Sequence, residues 1–525
     1  MGKKQMRVIF RIIVIVFAVT AAGCSLRNSV DAFVILGARG IGSIDPHYIK
    51  STGEERIVHA LFEGLVTADP KTGEPMPGLA ESWQMSADGL KYSFFLRKAV
   101  WSDGIRISAQ TVVDSWLRCL DPQTASPFSW YPGMFIKGAG EFLSGSAGPE
   151  AVGIRALDDY TFQVELARPM PHFLQAMVHH SLLVIPVHRV EKYGFAWVKP
   201  ENFAGNGAFI PETWEKGGDI TLVKNDQYRG RKKVALTQVN YRVVPDVEAA
   251  FRMFLDGDAD WISDLPEDLP AALRESDALY TAPGLENYYL LVNNEMQPFD
   301  DPRVRRALAL GFDRNKLLGT VCEGRHLPAY SIVPGNLPGY SEIPLFEDSA
   351  AEAKILLEVA GFPEGKGFPV FTILYNRSDF NRTVLEFICD SWRENLNLRC
   401  EPVSEEWGSY LITRRLHNFS LARAGWMGDF PDPLAFLAPF ISTHENNDGL
   451  YRNLAFDEAI LKAADKPYGK ERFEHLAQAE RILIDDMGAI PVLFRASAHI
   501  VDTEKWDGWH TNIRDLHPLS GIRPR

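Results

Sequence analysis

The sequence predicts an α/β protein, and two observations carry that reading. Short runs of β-branched and aromatic residues alternate with amphipathic helical stretches along the chain, the pattern of helices laid against a sheet. No Ser/Gly linker, internal repeat or charged low-complexity block divides the 525 residues, a length that supplies roughly two to four domains' worth of core. Strands are expected at 33–36, 92–96, 161–166, 220–223, 288–292, 371–374 and 398–402. A helix over 108–119 follows the turn Trp101-Ser102-Asp103-Gly104. A second, over 303–311, opens with Asp301 as cap and Pro302 in its first turn, where a missing N–H costs nothing. The stretches 383–395 and 471–486 carry apolar residues at three- and four-residue spacing, so each lays one face on a core.

The amino terminus has a basic flank (Lys3, Lys4, Arg7), an apolar run over 8–19 and the small residues Thr20-Ala21-Ala22-Gly23 before Cys24. The run has signal-peptide length and is short for a membrane span. This resembles a bacterial lipoprotein signal, which makes 1–23 a signal peptide and Cys24 the lipidated first residue. An uncleaved anchor helix is the alternative. Under either reading the rest of the chain lies outside the cytoplasm, tethered to a membrane on its periplasmic or extracellular side. Removing Lys3, Lys4, Arg7 and Arg11 takes the formal charge from −13 to −17. So acidic a body lacks the basic surface that nucleic acid needs, which excludes that partner. Cys119, Cys322, Cys389 and Cys400 remain, with no C-x-x-C and no metal spacing to a histidine. Cys389 and Cys400 fit either a disulfide between helix and strand or two buried thiols.

The segment from Ala422 to Pro433 concentrates the chemistry. It sets Asp429 among Trp426, Met427 and Phe430, with Arg423 six residues upstream. A carboxylate walled by apolar groups is costly unless a cation meets it, and a ligand ammonium is one such cation. Read locally, the same residues also fit an Asx-turn in a Pro-rich bend. No G-x-S-x-G elbow, H-E-x-x-H helix or phosphate loop is present. The glycines at 37, 40 and 42 have the wrong spacing for a dinucleotide loop, and the neighbours His179 and His180 should point apart and make a poor metal pair. No enzyme, metal or cofactor is expected.

Collinear blocks identify a family. Leu61-Phe62-Glu63-Gly64-Leu65, Pro77-Gly78-Leu79-Ala80-Glu81-Ser82-Trp83 and Phe95-Leu96-Arg97 come first, followed by Trp101-Ser102-Asp103-Gly104. Asp121-Pro122, Ala125-Ser126-Pro127, Asn293-Asn294, Pro298-Phe299-Asp300-Asp301 and Arg303-Val304-Arg305-Arg306-Ala307-Leu308 continue the series. Leu374-Tyr375-Asn376, Glu406-Trp407 and Arg423-Ala424-Gly425-Trp426 complete it. Over essentially the whole mature chain they resemble the oligopeptide-binding lipoproteins of peptide ABC importers, within the peptide/nickel-type extracellular solute-binding proteins. The resemblance implies a two-lobed, hinged periplasmic-binding-protein fold of type II, in its large three-domain variant, with the ligand cleft between the lobes. Lobe I is expected at 24–62, 188–285 and 497–525, an inserted β-rich domain at 63–187 and lobe II at 286–496.

The resemblance also implies the site. A receptor for many peptides reads what all of them share, holding the ligand as an added strand. Asp429 takes the ammonium, and Gly425, Trp426, Met427 and Thr52 pair with the backbone. Arg423, supported by Arg414 and Arg415, takes the carboxylate. Trp407, Tyr289 and Phe128 wall the side-chain pockets. Phe128 stands where some members have tyrosine, and Asn381 where some have a histidine that sets peptide length. The implied partners are a peptide ligand and the transmembrane subunits of an ABC permease, with the receptor a monomer. Relatives of this architecture also bind dipeptides, a murein tripeptide, nickel chelates or haem, and a surface lipoprotein serving in interactions keeps the same fold.

Overall fold

The computed structural model describes residues 32–263, 265, 270–322, 325–335, 337–340 and 344–525. The signal segment and Cys24 lie outside the described residues. A mixed sheet of eleven strands runs through the molecule. At its centre two long antiparallel strands, Leu279–Val292 and Ala489–Val501, pass from one half to the other. Their early and late ends pair where Leu279 faces Ile500, and their other ends where Leu291 faces Ala489. Between Pro283 and Asn287 the register shifts, so the ladder is interrupted where the halves meet.

On one side of that interruption Ala32–Gly37 runs parallel to Gln238–Val243 and to Trp261–Ile262, and Phe209–Trp214 and Ile220–Lys224 extend the edge. On the other side Leu421–Met427 lies antiparallel to Leu279–Val292, and Phe371–Asn376 and Cys400–Glu405 follow in parallel. Each side has its own apolar core. Phe33, Ile35, Leu61, Trp116 and Trp261 belong to the first; Tyr288, Leu308, Trp392, Leu421 and Leu493 belong to the second. Two cores joined chiefly by a pair of strands make a two-lobed α/β fold able to hinge.

A four-stranded antiparallel sheet is built from Ala80–Met85, Lys91–Leu96, Thr161–Glu165 and Ile154–Asp158. The helix Ala109–Leu120 covers it, opened by a capping box between Ser108 and Thr111. Its Phe94, Trp116 and Phe162 merge with the first core, so this sheet packs on lobe I.

In lobe II, Asp301 caps Pro302–Leu310 through the Arg303 amide, as the sequence suggests. The helix Asp379–Leu396 starts four residues before the expected 383 because Ser378 caps it. It ends at Asn397 in the left-handed region, which delays the next strand to Cys400–Glu405 rather than 398–402. Cys389 and Cys400 form a disulfide that ties this helix to that strand. Cys119 and Cys322 are buried thiols.

Candidate functional site

The strand Leu421–Met427 has one closed edge and one edge that opens. Trp426 N–H donates to Asn287 Oδ1 at 2.9 Å, and Gly428 N–H to Leu285 O at 2.8 Å, so even-numbered residues turn their main chain toward Leu279–Val292. Alternation then turns Arg423, Gly425 and Met427 to the opposite edge. There Phe371–Asn376 pairs only with Leu421 and Ala422. Past that point Gly425 and Met427 present main-chain groups with no strand beside them among the described residues. The expectation for Trp426 is corrected: its amide is taken by Asn287.

Asp429 follows immediately. Its carboxylate reaches solvent, yet the surrounding walls remove enough water that burial raises its carboxyl above the ordinary value. No cation or donor among the described residues bonds to it, so the Asx-turn reading finds no support. Its charge also reaches Tyr131, whose phenol is pushed up first by burial and then by Asp429.

The loop around Asp429 is held from both sides. Phe430 stacks on His172 of the β-rich region, with centroids 4.3 Å apart at 20°. Asp432 receives a bidentate pair from Arg472 at 2.6 and 2.9 Å, both side chains fully buried. Such a fork fixes geometry as well as charge. The loop is therefore built around a carboxylate that it does not itself neutralise.

Arg423 lies over the Tyr288 ring at 4.7 Å, and its Nε is buried without a hydrogen bond. It has no acidic partner among the described residues. Arg414 differs: it pairs with Asp448 at 2.8 Å and donates to Tyr410 at 3.1 Å. Its charge is thus matched within lobe II, unlike that of Arg423. Tyr289 is also corrected. It is 4% exposed and packs on Phe440 in the lobe II core, with its phenol pushed by burial to about 12. The tyrosine beside Arg423 is Tyr288, one residue earlier and on the opposite face of the strand.

Trp407 is exposed and stacks on Tyr410 at 5.7 Å. Phe128 is half-buried against His179 and His180. Those two histidines are structural and do not point apart. The turn beginning at His180 brings their rings to 4.1 Å, and Nδ1 of His180 meets Pro46 O. Asn381 is buried in the first turn of its helix and bonds to Asn376, so it is not offered to a cleft.

Thr52 is the first residue of the helix Thr52–Leu61 and lines a cavity of about 530 Å³. Gly37, Ile262 and Ser263 reach the same cavity, which thus opens at the carboxyl ends of parallel strands, where open α/β sheets bind ligands. Ser497 and His499, from the long central strand, also line it, and Arg325 reaches it from the other half of the chain. Asn287, Tyr288, Asp432 and Arg472 escape a sequence reading because each works through a partner distant in the chain. Only the Trp-Met-Gly-Asp run marks the region locally.

Two cores linked by an interrupted ladder, with an unpaired carboxylate beside an open strand edge, is the construction of a hinged solute-binding protein. The comparisons agree. The family model "Bacterial extracellular solute-binding proteins, family 5 Middle" matches residues 74–448, and the chain belongs to that family. It is 35% identical over 496 residues to the periplasmic oligopeptide-binding protein OppA of Salmonella typhimurium, covering 92% of this chain and 89% of that protein. The unliganded open form of the periplasmic murein tripeptide binding protein MppA matches with TM-score 0.88 at 29% identity, over 94% of this chain and 97% of that one. Another structure, of the Escherichia coli murein tripeptide binding protein MppA, has the same 29% identity and covers 94% and 98%, but its TM-score is 0.68.

Proposed function

We propose that the chain binds oligopeptides outside the cytoplasmic membrane and delivers them to the transmembrane subunits of an ABC-type permease. The peptide lies as an added strand along Gly425 and Met427, with its ammonium on Asp429 and its carboxylate toward Arg423. The lobe I face around Thr52 closes over it. One observation carries this reading: a carboxylate whose ionised form is disfavoured by burial stands unpaired at the end of an open strand edge. A charge-assisted bond there strengthens as closure expels water.

The protein acts as a monomeric receptor and not as an enzyme. It is anchored to the membrane through lipid on Cys24 after loss of 1–23. Its body divides into lobe I (24–62, 188–285, 497–525), the inserted domain (63–187) and lobe II (286–496). Phe128 and Trp407 serve as side-chain walls. The likeness to the open form of a murein tripeptide receptor favours that ligand as a second reading. Mass spectrometry of small molecules released by denaturing the purified protein decides between them. Mixed peptides of three to five residues support the proposal, and a murein tripeptide alone supports the second reading. Dipeptides or a non-peptide ligand overturn the oligopeptide assignment.

A further inference from the structure

The open edge of the binding strand does not simply run out. It is closed at a definite residue by a side chain. Phe371–Asn376 occupies this edge as far as Ala422. The next outward-facing carbonyl, that of Arg423, accepts a hydrogen bond from the hydroxyl of Tyr410. Tyr410 belongs to the helix Trp407–Arg415 and is fully buried. Its hydroxyl is held in turn by Arg414 at 3.1 Å, and Arg414 by Asp448 at 2.8 Å. The chain Asp448–Arg414–Tyr410 therefore ends on a main-chain acceptor that would otherwise belong to the same edge as Gly425 and Met427. A phenol whose donor is spent on that carbonyl, and whose oxygen is occupied by a guanidinium, has no reason to swing away.

We infer that Tyr410 is a specificity-determining residue that sets how many backbone bonds a ligand can make. This rests on the reading of the cleft as an oligopeptide site with the ammonium at Asp429. Starting from that end, a ligand strand meets Met427, then Gly425 about 7 Å further on, two residues along a strand. A third step of equal length would bring it to the Arg423 carbonyl, whose outward side is already occupied by the Tyr410 hydroxyl. Peptides that extend past Gly425 gain no further backbone bond, and their added length contributes only through side chains and the terminal carboxylate. The register of backbone recognition is thus cut at two positions by one hydroxyl group.

The test is calorimetry on alanine peptides of three to six residues, in which each peptide nitrogen is methylated in turn. The wild-type protein should show at most two sensitive nitrogens, two residues apart, while methylation of the next in that series changes affinity less than twofold. Tyr410→Phe frees the Arg423 carbonyl. That third nitrogen should then become sensitive, and the longer unmethylated peptides should bind roughly fivefold tighter, the net worth of one hydrogen bond. The shortest peptides should bind as before. A third sensitive nitrogen in the wild-type protein overturns the assignment without recourse to the variant. So does an identical pattern of sensitive nitrogens in both proteins, or weaker binding by the variant at every length. If no alanine peptide binds the wild-type protein, the oligopeptide reading itself fails and takes this inference with it. Binding with the wrong pattern defeats Tyr410 alone.

Discussion

Replacing Asp429 by asparagine keeps the shape of the side chain and removes its charge. In the closed complex that charge would be one half of a desolvated pair, and truncating one partner of such a pair costs about 2–5 kcal/mol. Affinity for a free peptide should therefore fall about 30- to 4,000-fold. The ligand-free protein should respond in the opposite sense. Burial raises the Asp429 carboxyl above its ordinary value. A raised folded-state pKa means that this group favours the folded state when protonated, and that the contribution is lost as pH rises through the folded value. At neutral pH the ionised, unpaired carboxylate is thus a liability, and Asp429→Asn should melt no lower than wild type. Calorimetry with one peptide in free and N-acetylated forms completes the cycle. Acetylation should weaken binding to wild type strongly and to the variant hardly at all, because each change removes the same interaction. Equal losses on acetylation in both proteins, or an Asp429→Asn affinity within twofold of wild type, would refute the reasoning.

Three further outcomes follow from the geometry. Arg423→Gln should weaken peptides with a free carboxylate and leave their C-terminal amides within about twofold, measured by calorimetry, since Arg423 has no described acidic partner to lose. Arg472→Ala strands the buried Asp432 carboxylate, so it should lower unfolding stability by about 3–5 kcal/mol in denaturant titration. Asp515 works in the acidic range. Burial opposes its ionisation, but His499 and Arg56, with the His517 hydrogen bond, outweigh that and hold its carboxyl well below the usual value. A depressed folded pKa gives stability that is present above the unfolded value, near 3.9, and is lost as pH falls through the folded one. Asp515→Asn should therefore be less stable than wild type above about pH 5, with a gap that narrows below about pH 4 in thermal melts.

The sequence is most legible where its signals are local. Asp301-Pro302 announces a helix start because cap and first-turn chemistry act within three residues, and the strand at 220–223 appears as Ile220–Lys224. The two hinge strands are harder. Only 288–292 of Leu279–Val292 is apolar enough to be read as a strand, and Ala489–Val501 is buried along most of both faces, which erases the alternation that marks a half-exposed strand. Tyr289 is placed as a pocket wall by resemblance alone, and its burial against Phe440, far along the chain, is visible only in three dimensions. The pairing of Arg414 cannot be assigned locally at all, because Asp448 lies 34 positions away. At Asp429 the sequence supplies the apolar neighbours, whereas the absence of a partner among the described residues is visible only in three dimensions.

A structure of the protein with a bound peptide tests the central claim most directly. The account predicts the terminal nitrogen of the peptide about 2.7–2.9 Å from an Asp429 carboxylate oxygen, with the ligand backbone beside Gly425 and Met427. A terminal nitrogen held elsewhere, or Asp429 turned onto a lysine or arginine of the protein itself, would contradict it.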